Sequence, residues 1–376
     1  MHSPFYSIDE ARSRAQKRLP KIIFDYIDGA AGNELAKARN REAFQEIYLQ
    51  ARVLVNVDQR SLKTSFLGKS WGLPFGIAPM GLCNLAWPRA DQMLAQASKA
   101  YNIPAALSTA GSTSIEDFGT QTGQNGWFQL YVGGAEVQAM GLVSRAEQAG
   151  YDTLVFTVDV PQVAPRRRDM RNQFVMPFKI GPKLFWDFAT HPRWSITSLL
   201  AGAPRLANFP NANSKQDGWD RNSGRGKIDF PFLARLREKW PHKLIVKGVT
   251  HADDAKRIQA AGADAIWVSN HGGRQLASSL PAIHILPKVR AAVGNDYPLM
   301  FDSGIRNGED AVKALALGAD FIMLGRPFLW GVAAGAQDGL NNVIDLMANE
   351  ISVAMAQVGK VCIEEIDSDI LVKSMK

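Results

Sequence analysis

A recurring unit constrains the fold of this sequence more than any other feature. Each unit has a short apolar run, a polar or glycine-rich tip, and a stretch whose apolar residues recur at helical spacing. Continuous apolar runs that alternate with helices are typical of parallel strands buried on both faces. Eight such units favour a closed (β/α)8 TIM barrel over an open doubly wound sheet, which would usually carry a Gly-x-Gly-x-x-Gly turn after its first strand. The runs lie at 75–78, 105–108, 127–131, 153–158, 243–247, 265–269, 299–302 and 321–325.

The 376 residues are interpreted as a single domain, 1–376. Its parts are a helical lead-in at 1–70, the barrel at 71–335 and C-terminal helices at 336–376. Ser7, with Glu10 three residues later, has the spacing of a helix-capping box at the start of the lead-in.

One long excursion, at 175–226, interrupts the barrel after its fourth strand. Excursions of this length in compact domains are usually functional lids or binding segments, or else disordered. Its aromatic residues alternate with Lys179, Lys183 and Arg193, a composition that suits a membrane interface. A self-packed lid or a contact between subunits is the alternative.

Composition excludes several classes of function. The net charge of +7 permits attraction to anionic molecules. No basic helix interleaved with aromatics is present, however, so we expect no nucleic-acid partner. Cys83 and Cys362 are the only cysteines, which leaves no disulfide framework, and no spacing of ligands indicates a metal site.

Polar residues cluster where the apolar runs end. Active sites of closed barrels lie at the carboxyl ends of the strands, so these residues are expected to converge on one face. Any one of them alone is equally an ordinary cap at the end of a strand. They are Ser108, Gln129, Tyr131, Thr157, Asp159, Lys247, Ser269, His271, Arg274, Asp302, Gly304, Arg306, Gly325 and Arg326.

The residue types at these tips indicate acid–base chemistry on an anion. His271 has the side chain that takes a proton near neutral pH, and Asp159 is a carboxylate suited to orienting it. Arg274 and Arg166 form a pair of cations for a carboxylate. Lys247 is either a fixed cation or a lysine that forms a Schiff base.

Two glycine turns, each opening a helix, look like a phosphate cradle. One contains Gly304 and Arg306, and the other contains Gly325 and Arg326. Backbone N–H groups at a helix N-terminus attract phosphate, and barrels often bind one after the seventh and eighth strands. Two ordinary strand-to-helix turns are the alternative.

The segment Ser269-Asn270-His271-Gly272-Gly273-Arg274-Gln275-Leu276 resembles the active-site signature of the FMN-dependent L-2-hydroxy-acid oxidoreductases. The resemblance covers nearly the whole chain and is greatest to bacterial L-lactate and mandelate dehydrogenase members. It extends to residues 19–26, 127–132, 157–159, 246–248, 302–306 and 324–326. It implies the barrel inferred above and FMN as the cofactor.

The resemblance also implies a role for each site residue. His271 is the base that removes a proton from a small 2-hydroxy acid, and Asp159 supports the imidazolium that forms. Arg166, Arg274 and the Tyr26 hydroxyl bind the substrate carboxylate, while Tyr131 bonds the substrate hydroxyl. The FMN contacts implied are Pro79, Met80, Gly81, Ser108, Gln129, Thr157, Lys247, Ser269 and Asp302, with the phosphate at Gly304, Arg306, Gly325 and Arg326.

Three positions differ between this sequence and other members of the family. Ala277 stands where the family usually has aspartate, and Pro165 stands where glycine, arginine or an aromatic residue is commoner. Gly81 stands where oxidases of the family tend to carry alanine, which favours a dehydrogenase that passes electrons to quinone or another non-oxygen acceptor. The resemblance further implies a homotetramer in peripheral membrane contact, on the cytoplasmic side of the inner membrane, or else free in the cytoplasm.

Alternatives of other classes stay open at this point. A related enzyme is an L-2-hydroxy-acid oxidase that produces hydrogen peroxide. A lyase or aldolase would use Lys247 as a Schiff base, and a non-catalytic barrel would only bind a phosphate ligand.

Overall fold

The computed structural model describes residues 4–209 and 225–372. Its strands are β1 Thr64–Phe66, β2 Lys69–Trp71, β3 Phe75–Met80, β4 Ala105–Ser108, β5 Gly126–Leu130, β6 Thr153–Thr157, β7 Lys243–Val249, β8 Ala265–Val268, β9 Leu299–Phe301 and β10 Phe321–Leu324. Its helices are α1 Ile8–Arg18, α2 Lys21–Asp28, α3 Leu35–Gln45, α4 Ala90–Tyr101, α5 Ile115–Thr122, α6 Glu136–Gln148, α7 Arg167–Arg171, α8 Pro182–Ala189, α9 Pro192–Ala201, α10 Phe230–Lys239, α11 Ala252–Ala260, α12 Ala282–Val293, α13 Gly308–Ala316 and α14 Arg326–Gln357.

Strands β3 to β10 form a closed parallel barrel, in which β10 pairs with both β3 and β9. The eight apolar runs therefore mark the eight barrel strands, and the predicted TIM barrel is confirmed. The pairing aligns the polar tips across neighbouring strands: Ser108 lies opposite Gln129, and Thr157 lies opposite Lys247. This register brings the tips to one rim, because all eight strands run in the same direction.

The base of the barrel is closed by a β-hairpin that the sequence analysis assigned to the helical lead-in. Strands β1 and β2 pair antiparallel through a turn at Leu67 and Gly68, whose φ angles are 51° and 78°. Phe66 and Trp71 are buried in the same cluster as residues of the barrel interior, and the ring centres of Trp71 and Trp127 lie 6.2 Å apart. The predicted helical lead-in is therefore wrong at 64–70, where the chain forms strands. Strands of three residues are too short to show an alternating pattern of apolar and polar residues, so the sequence did not indicate them.

The lead-in begins with the predicted cap. The backbone N–H of Glu10 donates to Ser7 Oγ at 3.1 Å, and the N–H of Tyr6 donates to Glu10 Oε2 at 3.2 Å. Two further helices follow, and α2 carries Tyr26 toward the rim of the barrel where the polar tips lie.

Helices α8 and α9 occupy much of the described part of the excursion, and residues 210–224 lie outside the described residues. The final long helix, α14, is interrupted at Gly335 and Ala336, where the backbone leaves helical geometry. Among the helices of residues 4–209 and 225–372, none combines the length and the apolar character needed to cross a bilayer.

Candidate active site

A cavity of about 1120 Å³ opens at the carboxyl ends of the barrel strands. It collects most of the site residues expected from the sequence. Asp159, Gln129 and Ser269 are the exceptions, because each lies behind a residue of the wall and contacts it. Those that line it are Tyr26, Pro79, Met80, Gly81, Ser108, Tyr131, Thr157, Arg166, Lys247, His271, Arg274, Asp302, Gly304, Arg306, Gly325 and Arg326.

The loop after β8 presents His271 to the cavity. The N–H of His271 donates to Ser269 Oγ at 2.9 Å, and the N–H of Gly272 donates to Ser303 Oγ at 3.0 Å. His271 itself has a φ of 58°, a left-handed conformation that non-glycine residues adopt at a cost and that often marks functional loops. Two hydroxyl groups from separate loops therefore hold the backbone in the shape that points the imidazole inward.

The His271 imidazole is bonded at both ring nitrogens. Nδ1 lies 3.0 Å from Asp159 Oδ1, and Nε2 lies 3.1 Å from the Tyr131 hydroxyl. A carboxylate accepts, so Nδ1 donates to Asp159 and Nε2 is left with a lone pair facing the cavity. Burial raises the pKa of Asp159, but its interaction with His271, together with the charge of Lys247, outweighs burial and holds that pKa below its usual value. The pair is thus set up as a base with a supporting anion.

Close packing of the β7 tip against Asp159 requires glycine at position 248. Gly248 has a φ of 102°, and a Cβ there would lie 2.5 Å from the Asp159 side chain. The glycine that follows Lys247 therefore makes room for the carboxylate behind His271.

Arg166 and Arg274 both lie close to the aromatic ring of Tyr26. The guanidinium carbon of each is 5.7 Å from the centre of the Tyr26 ring. Arg274 also donates from Nη1 to the carbonyl oxygens of Tyr26, at 3.1 Å, and Gly29, at 2.7 Å. Burial, followed by the charges of Arg166 and Arg326, lowers the pKa of Arg274 to about 9, so the side chain remains charged at neutral pH. Such crowded cations favour an anion between them.

A buried ion network holds the segment that carries Arg166. Arg168 donates to Asp28 at 2.9 Å and also bonds Glu34. Asp28 receives Arg12 at 2.7 Å and Lys37 at 2.8 Å as well. Burial raises the pKa of Asp28, but these partners outweigh it and hold that pKa well below its usual range. The lead-in and the arginine segment are thereby joined beside the cavity.

Lys247 is fixed by two partners. Its ammonium donates to Ser269 Oγ at 2.7 Å and lies 3.0 Å from Asp302 Oδ2. It also lies 4.8 Å from the centre of the Trp267 ring. A nitrogen occupied in this way favours the fixed-cation role over that of a Schiff-base nucleophile.

The donors around the cavity fit FMN. Gln129 Nε2 and Thr157 Oγ1 are buried and have no hydrogen-bond partner within the described part of the chain. Such donors suit the carbonyl oxygens and ring nitrogens of a flavin. Arg306 and Arg326 both line the cavity, where their charges suit a phosphate group. Burial and the charge of neighbouring arginines lower the pKa of each to about 10, so both side chains are charged at neutral pH. In residues 4–209 and 225–372, no group of three or more His, Cys, Asp or Glu side chains could hold a metal ion.

Several cavity residues were missed by the sequence analysis, and three of them contact predicted site residues. Ser303 supports the His271 loop, Phe174 stacks on Tyr26 with ring centres 4.5 Å apart, and Arg225 lies against Tyr131. Ser303 follows Asp302 directly, so its place in the tip was a usable signal. Phe174 directly precedes the excursion and Arg225 lies at its end, and no periodic pattern there indicates which side chains turn inward.

Comparison with known proteins places this site in a family. The model of the FMN-dependent dehydrogenase family matches residues 15–373. The chain is 40% identical to (S)-mandelate dehydrogenase of Pseudomonas putida over 99% of this chain and 95% of the relative. It is 39% identical to L-lactate dehydrogenase of Pseudomonas syringae pv. syringae (strain B728a), over 98% of this chain and 99% of the relative.

A solved structure described as the monotopic membrane protein (S)-mandelate dehydrogenase is similar throughout. It superposes with a TM-score of 0.93 at 39% identity and covers 99% of this chain and 100% of its own. The resemblance stated from the signature segment is therefore confirmed. The chain belongs to the FMN-dependent dehydrogenase family, as an oxidoreductase of the mandelate and lactate dehydrogenase type.

Proposed function

We propose that this protein oxidises an L-2-hydroxy acid to the 2-oxo acid and passes the electrons to quinone or another non-oxygen acceptor. The observation that carries the proposal is His271, held between Asp159 and Tyr131, in the same cavity as Arg166 and Arg274. Base, carboxylate clamp and flavin donors are the parts that this oxidation needs.

The chain's own residues bind the acid and manage its proton. Arg166 and Arg274 hold the carboxylate, which directs the C2 carbon toward His271. Nε2 of His271 accepts one proton: that of the hydroxyl if C2 loses hydride, or that of C2 if a carbanion forms. Asp159 stabilises the resulting imidazolium. FMN, when bound, accepts the two electrons, and Lys247 would supply positive charge to offset them.

The wall of the cavity favours a bulky apolar substituent on the acid. Phe174, Val175, Met176, Leu206 and Phe209 line it together on the side formed by the excursion. This lining supports an aromatic acid of the mandelate type over lactate, since burying a phenyl group against apolar side chains is favourable.

The test is reduction of the flavin by substrate. The purified protein should be yellow and should bleach when (S)-mandelate or L-lactate is added without oxygen, faster with mandelate. A colourless protein that stays inactive after FMN is added would refute the proposal. An oxidase is distinguished by reoxidation: under air, hydrogen peroxide would form at the rate of turnover, whereas the proposed dehydrogenase needs a quinone or dye.

We further propose that helices α8 and α9 place the enzyme on a membrane surface. They present exposed apolar side chains, among them Trp186, 69% exposed, and Leu199 and Leu200, 82% and 83% exposed. Lys183 and Arg193 lie on the same helices and suit anionic lipid headgroups. On the inner side of the two helices, Phe188 and Trp194 pack together with ring centres 5.3 Å apart. This contact holds α8 against α9, so the exposed apolar residues of both helices lie on one packed unit.

Replacing Phe185, Trp186, Leu199 and Leu200 together by serine should release the protein from anionic lipid vesicles. Each apolar side chain contributes roughly 1.5–3 kcal/mol when buried, so partition should fall at least about 100-fold. Co-sedimentation measures it, and dye-linked turnover should persist. Val53 and Leu54, which are also exposed, provide the matched control when replaced by serine. Equal loss in the control would contradict the role of α8 and α9.

The homotetramer implied by the family resemblance, and the cytoplasmic side of the inner membrane as the place of contact, stay predictions.

A further inference from the structure

Arg225 lies inside the active-site cavity although it stands at the end of the excursion, 175–226. It begins a short helical turn, Arg225–Lys227, just before α10. Its side chain is only 4% exposed and lines the same cavity as His271 and Arg274. The guanidinium carbon lies 4.5 Å from the centre of the Tyr131 ring. A buried guanidinium at this distance from an aromatic face forms a cation–π contact.

The ring under Arg225 is the one that contacts the proposed base. The Tyr131 hydroxyl lies 3.1 Å from His271 Nε2, the nitrogen that must receive the substrate proton. The backbone N–H of Tyr131 donates to Thr109 Oγ1 at 2.9 Å, which fixes the main chain at the end of β5. Arg225 adds a contact on the ring itself, so the position of the hydroxyl depends on it.

Charge at the hydroxyl depends on Arg225 as well. Burial raises the pKa of Tyr131, and the negative charge of Asp159 raises it further. Arg225 opposes both, ahead of Arg274 and Arg166. A phenol beside a cation is a stronger hydrogen-bond donor, and it better supports an oxygen that gains negative charge.

We propose that Arg225 is a positioning residue for the oxidation, which acts through the ring of Tyr131. It holds the phenol hydroxyl at His271 Nε2 and strengthens its hydrogen bond to the substrate oxygen when the acid takes its place at the base. This inference rests on the proposed function, because it assigns Tyr131 a contact with the reacting hydroxyl.

A double-mutant cycle tests whether Arg225 acts through Tyr131. Arg225→Met keeps a long apolar side chain and removes the charge; kcat should fall about tenfold with little change in KM. Arg225→Lys should recover part of the loss, since an ammonium also attracts a ring face. In the Tyr131→Phe background, Arg225→Met should cost less than about twofold more, because the hydroxyl on which it acts is gone.

Two outcomes of the cycle would overturn the inference. A tenfold loss that persists in the Tyr131→Phe background means that Arg225 acts independently of the hydroxyl. A rise in KM with unchanged kcat, or a loss confined to acids with a second carboxylate, means that Arg225 binds the substrate directly. Arg257→Met is the matched control, since Arg257 forms a cation–π contact with Phe230, at 3.7 Å from the ring centre, and does not line the cavity. With a dye as acceptor, its turnover should stay within about twofold of the unaltered enzyme.

A second measurement uses the resting protein and needs no turnover. Placing 3,5-difluorotyrosine at position 131 gives a phenol that ionises in an accessible pH range and is followed by absorbance. Arg225→Met should raise the pKa of that phenol, making its ionisation about tenfold less favourable. An unchanged pKa would overturn the inference even if the enzyme oxidises 2-hydroxy acids as proposed. A raised pKa in a protein that oxidises none of them would leave the contact standing and refute the proposed function instead.

Discussion

His271→Gln should retain FMN and lose turnover by about 10²–10⁴-fold, the usual contribution of a general base. The glutamine amide reaches the same region and can still bond the Tyr131 hydroxyl, but it does not accept a proton. Since the imidazole lies 3.0 Å from Asp159, its removal also leaves a buried carboxylate with one partner fewer. The loss should appear in kcat, because carboxylate binding by the arginines is untouched.

Stopped-flow reduction of the flavin by (S)-mandelate measures the step directly. The visible spectrum of the variant shows whether FMN is bound. His284→Gln is a matched control, because His284 is a half-exposed histidine of α12 that pairs with Glu46 at 3.3 Å, outside the cavity. If His271→Gln reduced the flavin at the rate of the unaltered enzyme, His271 would not be the base.

Arg274→Lys should lower kcat/KM by about 10²-fold, mainly through KM. Lysine keeps the charge but cannot form the two parallel hydrogen bonds that a guanidinium offers a carboxylate. It also cannot donate to the Tyr26 and Gly29 carbonyls and reach the substrate at the same time, as the branched group of Arg274 allows. The expected result is therefore weaker and less selective binding of the acid.

Steady-state kinetics with a series of 2-hydroxy acids checks this result. Competitive inhibition by a 2-oxo acid should weaken in parallel, because inhibitor and substrate share the carboxylate. Arg235→Lys serves as the control on the protein surface, where Arg235 pairs with Glu136 at 2.7 Å. An Arg274→Lys enzyme with unaltered KM for every acid would show that the clamp lies elsewhere.

The barrel was predictable because each strand is buried on both faces and so appears as an unbroken apolar run. The site followed from it, since parallel strands bring their tips to one rim. The contacts between distant segments were not predictable. The side-chain amides of Asn40 and Asn270 donate to each other at 2.8 Å, although the two residues are 230 positions apart in sequence. Nothing in the sequence around either asparagine indicates the other as its partner.

Arg225 shows the same limit within the cavity. It lies at the polar end of the excursion, where a charged residue is usually interpreted as solvent-exposed. Only the fold shows that its side chain lies on the Tyr131 ring. The sequence analysis missed the hairpin at the barrel base for another reason, because strands of three residues show too little periodicity in their apolar residues.

The carbonyl of Gly29 accepts hydrogen bonds from Arg274 and from Arg326, which lie 245 and 297 residues after Gly29 in the chain. During synthesis on the ribosome, the first helices therefore emerge long before the arginines that they must meet. A nascent chain stalled before Arg274 has neither its complete carboxylate clamp nor its phosphate arginines in place. Competence for catalysis therefore arises only after Arg326, which follows the last strand of the barrel, has been synthesised.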